Sequence, residues 1–197
     1  MEEEPLSPPA PPALETERLL LTLGPPETAG RYLDFVLANE DHLSRWEPPR
    51  PEGYFTEGYW YRRLERSRDE MARDLSLRLA LFRRGDPEGP VLGHVNFSQI
   101  VRGGFQCCSL GYSLDRRVVG RGLMTEALGA AIPYVFDRLK LHRIQANYVP
   151  TNERSGRVLR RLGFVVEGYA RDYLFIGGAW RDHILTSLTN LEGATPG

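Results

Sequence analysis

Two glycines, Gly120 and Gly122, stand one residue apart in the stretch Arg116-Arg117-Val118-Val119-Gly120-Arg121-Gly122-Leu123-Met124, and no other stretch constrains the fold as strongly. An apolar run ending Leu110-Gly111-Tyr112-Ser113-Leu114 precedes them, and a long amphipathic segment follows. The glycines therefore fall where a strand turns into a helix. Glycine at such a turn lets backbone N–H groups gather round a ligand with no Cβ in the way. A helix opening at Gly122 adds unpaired N–H donors and the positive end of its dipole. Together these suit an anion such as a diphosphate. The glycines alone fit an ordinary strand-to-helix turn equally well.

The surrounding pattern says what kind of domain holds the turn. Past it, Leu123, Met124, Ala127, Leu128, Ala131, Ile132, Val135, Phe136 and Leu139 recur at helical spacing. Pro133 should kink or shorten that helix. Upstream, residues 16–23 read as a first strand, and Pro25-Pro26-Glu27-Thr28 starts a helix with Tyr32, Phe35 and Val36 on one side. Residues 46–55 mix Trp46, Tyr54 and Phe55 with prolines, so they form a stiff loop. That loop either shapes a substrate pocket or covers the core, and recognition commonly sits on loops. Residues 56–73 are helical, with Trp60, Leu64, Ser67 and Met71 on one stripe. Acids interleaved with the arginines make the other side a solvated face, not a nucleic-acid patch.

Alternation predicts strands over residues 75–81, 91–101 and 105–114, joined by the glycine-rich turns 85–90 and 102–104. Residues 142–149 read as another strand. Asn152 is placed to cap a helix running to Leu162, and Gly163 to end it. Residues 164–176 and 180–188 close the chain as a hairpin about Gly177-Gly178. The result is a mixed α/β (α+β) domain with a largely antiparallel sheet. No Gly-Lys-Ser/Thr follows the glycines, which excludes a P-loop. A dinucleotide fold would alternate strand and helix from the start, whereas here the glycine turn follows three hairpin-linked strands.

A length of 197 residues suits one domain, here residues 15–191, with a proline-rich tail over 1–14 and a short tail over 192–197. Net charge of −1 provides no basic field for nucleic acid. No apolar run is long enough to cross a bilayer, and Met-Glu-Glu-Glu does not look like a signal peptide. The two cysteines, Cys107 and Cys108, are neighbours whose side chains point to opposite faces of a strand. They read as strand residues in a reducing cytoplasm, and no Cys/His set has metal-ligand spacing.

Arg117-x-x-Gly120-x-Gly122 resembles the acetyl-CoA signature of the GNAT family of N-acetyltransferases. Asn152-x-x-Ser155 followed by Leu162-Gly163-Phe164 resembles the second half of that family's core. The runs Val95-Asn96-Phe97-Ser98, Leu110-Gly111-Tyr112-Ser113, His142-Arg143-Ile144-Gln145-Ala146-Asn147-Tyr148, Glu167-Gly168-Tyr169-Ala170-Arg171-Asp172-Tyr173-Leu174 and Trp180-Arg181-Asp182-His183 resemble one branch, the RimJ-type ribosomal-protein-alanine N-acetyltransferases. The likeness covers residues 16–190.

The resemblance implies a sheet splayed between its fourth and fifth strands, with the pantetheine arm of acetyl-CoA in the gap. Tyr112, Ser113 and Leu114 would hold pantetheine, and Arg117, Val118, Val119, Gly120, Arg121, Gly122, Leu123 and Met124 the diphosphate. Asn147 and Asn152 would complete the cofactor site, and Ser155 would face the CoA sulfur as the donor to the leaving group. Trp46, Tyr54 and Phe55 would shape the acceptor site. Related RimI-type enzymes place a glutamate and a tyrosine where this chain has Asn147 and Leu159, so a base must come from elsewhere. Asp172 is the residue assigned to it, with a surface ion pair as the competing reading. The implied partners are acetyl-CoA and the N-terminus of a small-subunit ribosomal protein. No metal, membrane or direct nucleic-acid contact is expected, and the enzyme would be a monomer or homodimer. Acetylation of a small amine or antibiotic, and a non-catalytic CoA-binding ribosome-assembly module, are the alternative functions.

Overall fold

The computed structural model describes residues 10–191; residues 1–9 and 192–197, which hold most of both expected tails, lie outside them. Eight strands form one sheet: β1 (Ala13–Glu15), β2 (Leu19–Thr22), β3 (Leu77–Arg83), β4 (Gly93–Val101), β5 (Cys107–Leu114), β6 (Arg143–Gln145), β7 (Val165–Ile176) and β8 (Ala179–Thr189). Their order is β1-β2-β3-β4-β5-β6-β8-β7. Every neighbouring pair is antiparallel except β5 and β6, which run parallel.

The helices are α1 (Ala29–Ala38), α2 (Glu40–Leu43), α3 (Glu57–Ala72), α4 (Leu123–Asp137) and α5 (Glu153–Arg161). They cover both faces of the sheet, and β3 shows how. Leu77, Leu79 and Leu81 pack with α4 and α5 residues such as Leu128 and Leu159. Ala80 and Phe82, on the opposite face, pack with Tyr32, Phe35, Trp60 and Leu64 of α1 and α3. The alternation read in this strand was that of a half-buried one. Both faces are in fact buried because helices lie on each.

Three sequence expectations need correction. The strand expected over 16–23 is β2 alone, and a further strand, β1, precedes it and takes in Ala13 and Leu14, two residues of the stretch assigned to the proline-rich tail. Pro133 does not end α4, which runs four residues further to Asp137. Pro133 and Gly129, the residue whose carbonyl loses its partner, are both exposed. Water can take that carbonyl. The strand expected over 142–149 keeps ladder pairing only over Arg143–Gln145. That shortening builds the site.

Candidate active site

β5 and β6 pair at Cys107↔Arg143, Cys108↔Ile144 and Ser109↔Gln145, then part. Beyond Gln145 the chain stays with β8: the Ala146 N–H donates to the Thr186 carbonyl at 3.0 Å, and Tyr148 and Ile184 exchange bonds of 3.1 and 2.9 Å. The end of β5, from Leu110 to Leu114, therefore loses a neighbour on one side. A cleft of about 1330 Å³ opens there and runs from the glycine turn to the 46–55 loop. The splay expected between the fourth and fifth strands is this separation.

The glycine turn has the geometry that demanded glycine. Gly120 and Gly122 sit at φ 80° and 77°, a region that costs other residues about 1–2 kcal/mol. A Cβ at Gly120 would meet nothing within 4 Å, so backbone conformation and not packing makes the demand. Gly122 leads into α4 with no side chain capping it. Among the described residues, no hydrogen bond engages the backbone N–H groups of residues 119–125. That donor set at a helix N-terminus fits a diphosphate.

Two polar residues that the sequence reading passed over hold the turn. Asp115, 1% exposed, accepts the Arg117 N–H at 2.8 Å and pairs with its guanidinium at 2.5 Å. Its backbone carbonyl accepts the Val118 N–H at 3.0 Å. Burial pushes the Asp115 carboxyl up, but these bonds outweigh it and hold the pKa below its usual value. Buried Asn39 accepts the Arg116 N–H at 2.8 Å and donates to the Phe35 carbonyl at 2.9 Å, tying the turn to α1. An acid directly after a strand and before two arginines was a readable turn signal for Asp115; Asn39 gave none. On the outer side, Arg18 donates to the Arg121 carbonyl at 3.0 Å and pairs with Glu126 of α4.

Across the gap, the Asn152 side chain accepts the Ser155 N–H at 3.3 Å and caps α5. The Tyr112 hydroxyl reaches over from β5 to lie 2.8 Å from Ser155 Oγ and 3.2 Å from the Ser155 carbonyl. Burial raises the Tyr112 pKa to about 12. Next to Ser155, a Cβ on Gly156 would come within 2.8 Å of the Tyr148 ring, so glycine lets that ring close on α5. Asn147 bridges the irregular chain after β6 to the final hairpin, donating to Tyr173 Oη at 3.1 Å and accepting the Thr186 N–H at 3.3 Å.

The fold brings Tyr112, Ser113, Leu114, Val119, Gly120, Gly122, Leu123, Met124, Asn147, Asn152 and Ser155 to one cleft, with Trp46 and Tyr54 at its far end. It does not bring Asp172 there. That residue sits exposed at φ 48° where the β7–β8 register shifts, and its N–H donates to Asp182 at 2.9 Å. Arg117, Val118, Arg121 and Phe55 also lie outside the cleft wall. Arg117 is turned to Asp115, and Phe55 packs its ring edge-on to Tyr54 at 5.2 Å. Leu159, where related enzymes carry a tyrosine, is buried core.

The far end holds further residues that sequence reasoning missed. Arg50 pairs with Glu47, donates to Tyr54 Oη at 3.0 Å and lies 4.4 Å from the Tyr54 ring centre. Burial raises the Glu47 carboxyl, against the pull of Arg50. Trp60 donates to the Tyr54 carbonyl at 2.9 Å and packs against its ring at 5.1 Å. Glu70 gathers Arg63 and Arg78, both in the cleft wall, with Arg66 and Ser76. Burial pushes the Glu70 carboxyl up, but hydrogen bonds from Arg63 and Ser76 bring it down to about 2. His94, in the same wall, is held near pKa 4 by burial and by Arg78. The i,i+3 spacing of Glu47 and Arg50 was visible in the sequence, but their part in a pocket depends on α3 folding against them.

A parallel pair that opens beside a glycine turn, with a capped helix across the gap, defines a class of acyl-transfer enzyme. The Acetyltransferase (GNAT) domain family matches residues 18–165. The chain belongs to this family and is an N-acetyltransferase. It is 45% identical over 185 residues to the [ribosomal protein uS5]-alanine N-acetyltransferase of Escherichia coli strain K12, covering 93% of each chain. Among solved structures, the ribosomal-protein-S5-alanine acetyltransferase of Vibrio fischeri superposes with a TM-score of 0.88 at 36% identity, covering 93% of this chain and all of that one. Mycobacterium smegmatis RimJ, solved with a CoA disulfide, gives 0.83 at 26% identity over 94% of this chain and 89% of its own. Within the described residues no helix is long and apolar enough to cross a membrane.

Proposed function

We propose that this enzyme transfers acetyl from acetyl-CoA to the N-terminal α-amine, on alanine, of a small-subunit ribosomal protein. The observation that carries the cosubstrate is the free donor set at residues 119–125, set beside the open edge of β5. The acceptor is supported by likeness over nearly the whole chain to enzymes named for alanine acetylation on that protein.

The chemistry suits an α-amine. Its pKa of about 7.7–8.0 leaves roughly a tenth neutral near pH 7, while a lysine at about 10.4 is neutral roughly a few hundredfold less often. A weak base therefore suffices. Backbone groups of Tyr112–Leu114 would pair with pantetheine and polarise the thioester carbonyl, and Ser155 would donate to the sulfur as it leaves. Asn152 caps α5 and so sets where Ser155 stands. Trp46, Tyr54 and Glu47 would receive the acceptor, with the Glu47 carboxylate facing its ammonium. Asp172 has no part in this account because it lies outside the cleft.

Thiol release from acetyl-CoA, followed with alanine-starting peptides, lysine peptides and polyamines, tests the reading. Turnover confined to α-amine peptides is expected. Release with polyamines alone would sink the proposed acceptor, and CoA binding without turnover on any acceptor would sink the proposed activity.

A further inference from the structure

Ser155 cannot serve the sulfur unless its one hydrogen points that way, and the structure shows what competes for it. A serine hydroxyl has a single O–H and two lone pairs. The Tyr112 hydroxyl lies 2.8 Å from Ser155 Oγ, where either oxygen can be the donor, and also 3.2 Å from the Ser155 carbonyl. Two proton arrangements follow. If Tyr112 donates to the carbonyl, Ser155 spends its hydrogen on Tyr112 and turns only lone pairs to the cleft. If Tyr112 donates to Oγ, the Ser155 hydrogen is free for a third atom. Both side chains line the cleft, with Asn152 on the same wall.

We propose that Tyr112 is a positioning residue for the reaction: by donating its O–H to Ser155 Oγ, it directs the serine hydrogen at the CoA sulfur. This rests on the role given to Ser155 above. No proton leaves Tyr112. The amine nitrogen forms the new bond to the acetyl carbon, the carbon–sulfur bond breaks with its electron pair going to sulfur, and the amine's surplus proton passes to solvent. The aligned Ser155 O–H stabilises the thiolate through a charge-assisted hydrogen bond. Tyr112 keeps its hydrogen throughout the working pH range, since burial holds its pKa near 12. The packing contribution of its ring is separable from this role, because phenylalanine retains the ring.

The test is Tyr112→Phe beside Ser155→Ala and the double variant, with kcat and KM measured for acetyl-CoA. Tyr112→Phe is expected to lower kcat about tenfold, the scale of one lost hydrogen bond and less than the loss of a direct donor to developing charge, and to leave the KM for acetyl-CoA within twofold. The double variant should be no slower than Ser155→Ala. Ultraviolet titration of bound CoA should show its thiol pKa rising in both single variants relative to the wild type, a change that lost packing alone would not produce. Ser155→Ala at the wild-type rate would remove the Ser155 role and this inference with it. A slow Ser155→Ala with an unimpaired Tyr112→Phe would overturn the inference alone. So would losses that multiply in the double variant, or a Tyr112→Phe defect confined to KM.

Discussion

The cleft has two ends built on different principles. At the glycine-turn end the ligand-facing groups are backbone: N–H donors after Val118, strand edges left open by the parting of β5 and β6, and a helix terminus. At the far end they are side chains, Trp46, Glu47, Arg50, Tyr54 and Trp60, drawn from a proline-rich loop and from α3. Backbone donors can be arranged in few ways, so an end built from them recognises one kind of group, such as a diphosphate. Loop side chains such as Trp46, Glu47 and Arg50, outside the buried core, can be exchanged with less disturbance to the fold, so the far end is where specificity for an acceptor can vary. The two ends should therefore fail independently, and in different measured quantities.

The largest effect is expected at the backbone end. Gly120→Val places a β-branched residue at φ 80°. The strain of about 1–2 kcal/mol adds to a Cβ in space a diphosphate would use. CoA affinity by calorimetry should fall at least tenfold, which takes about 1.4 kcal/mol. The affinity for an acceptor peptide, measured separately, should change little. Wild-type CoA affinity would show that the turn is not the phosphate site.

That contrast also decides what could be read from the sequence. The turn, the Asn152 cap, the Gly163 stop and the Gly177-Gly178 hairpin were legible because each is a local backbone demand that few residue types meet. The assignment of a cofactor to that end rested on the family resemblance these residues carry. The end of β6 was not legible. Residues 146–149 have strand-like composition and keep β8 beside them, but the Thr186 N–H goes to the Asn147 side chain, so regular pairing breaks there. Asp172 misled for a related reason. A resemblance to relatives with an acid nearby on that strand, though not in register, pointed to it, and the residue sits exposed where β7 and β8 shift register. The Glu70 cluster was hidden because Arg63 and Arg66 on α3 meet Arg78 on β3 only after folding, and in the sequence they look like solvated helix charges.

The far end should break through the acceptor. Tyr54→Ala removes the ring that Arg50 stacks on and that Trp60, Tyr59 and Phe55 pack around. A buried cation–aromatic contact is worth roughly 0.5–2 kcal/mol, and Arg50 would then hold Glu47 less firmly. The KM for an alanine-starting peptide is expected to rise about five- to tenfold, with CoA affinity within twofold of wild type. A loss of CoA affinity as large as that of Gly120→Val would show that the two ends are one unit.

Glu47→Gln is the smallest and sharpest test, because it changes charge with little change in shape. Burial raises the Glu47 pKa above its ordinary 4.5, so the folded protein holds this proton more tightly than the unfolded chain does. Stability from this group is therefore fully present below about 4.5 and declines as pH rises through the raised value. Above that window Glu47 is an anion kept partly out of water, compensated by Arg50. Glutamine removes the titration, so the stability profile above pH 4.5 should flatten relative to wild type, as thermal melts across that range would show. The cost should appear in acceptor binding. Without the carboxylate the ammonium form of the peptide loses its counter-charge, and its KM is expected to rise about threefold near neutral pH, where that form predominates. At higher pH, where the neutral amine predominates, the difference from wild type should narrow. An equal defect at every pH would mean that Glu47 supports the loop and does not meet the acceptor's charge.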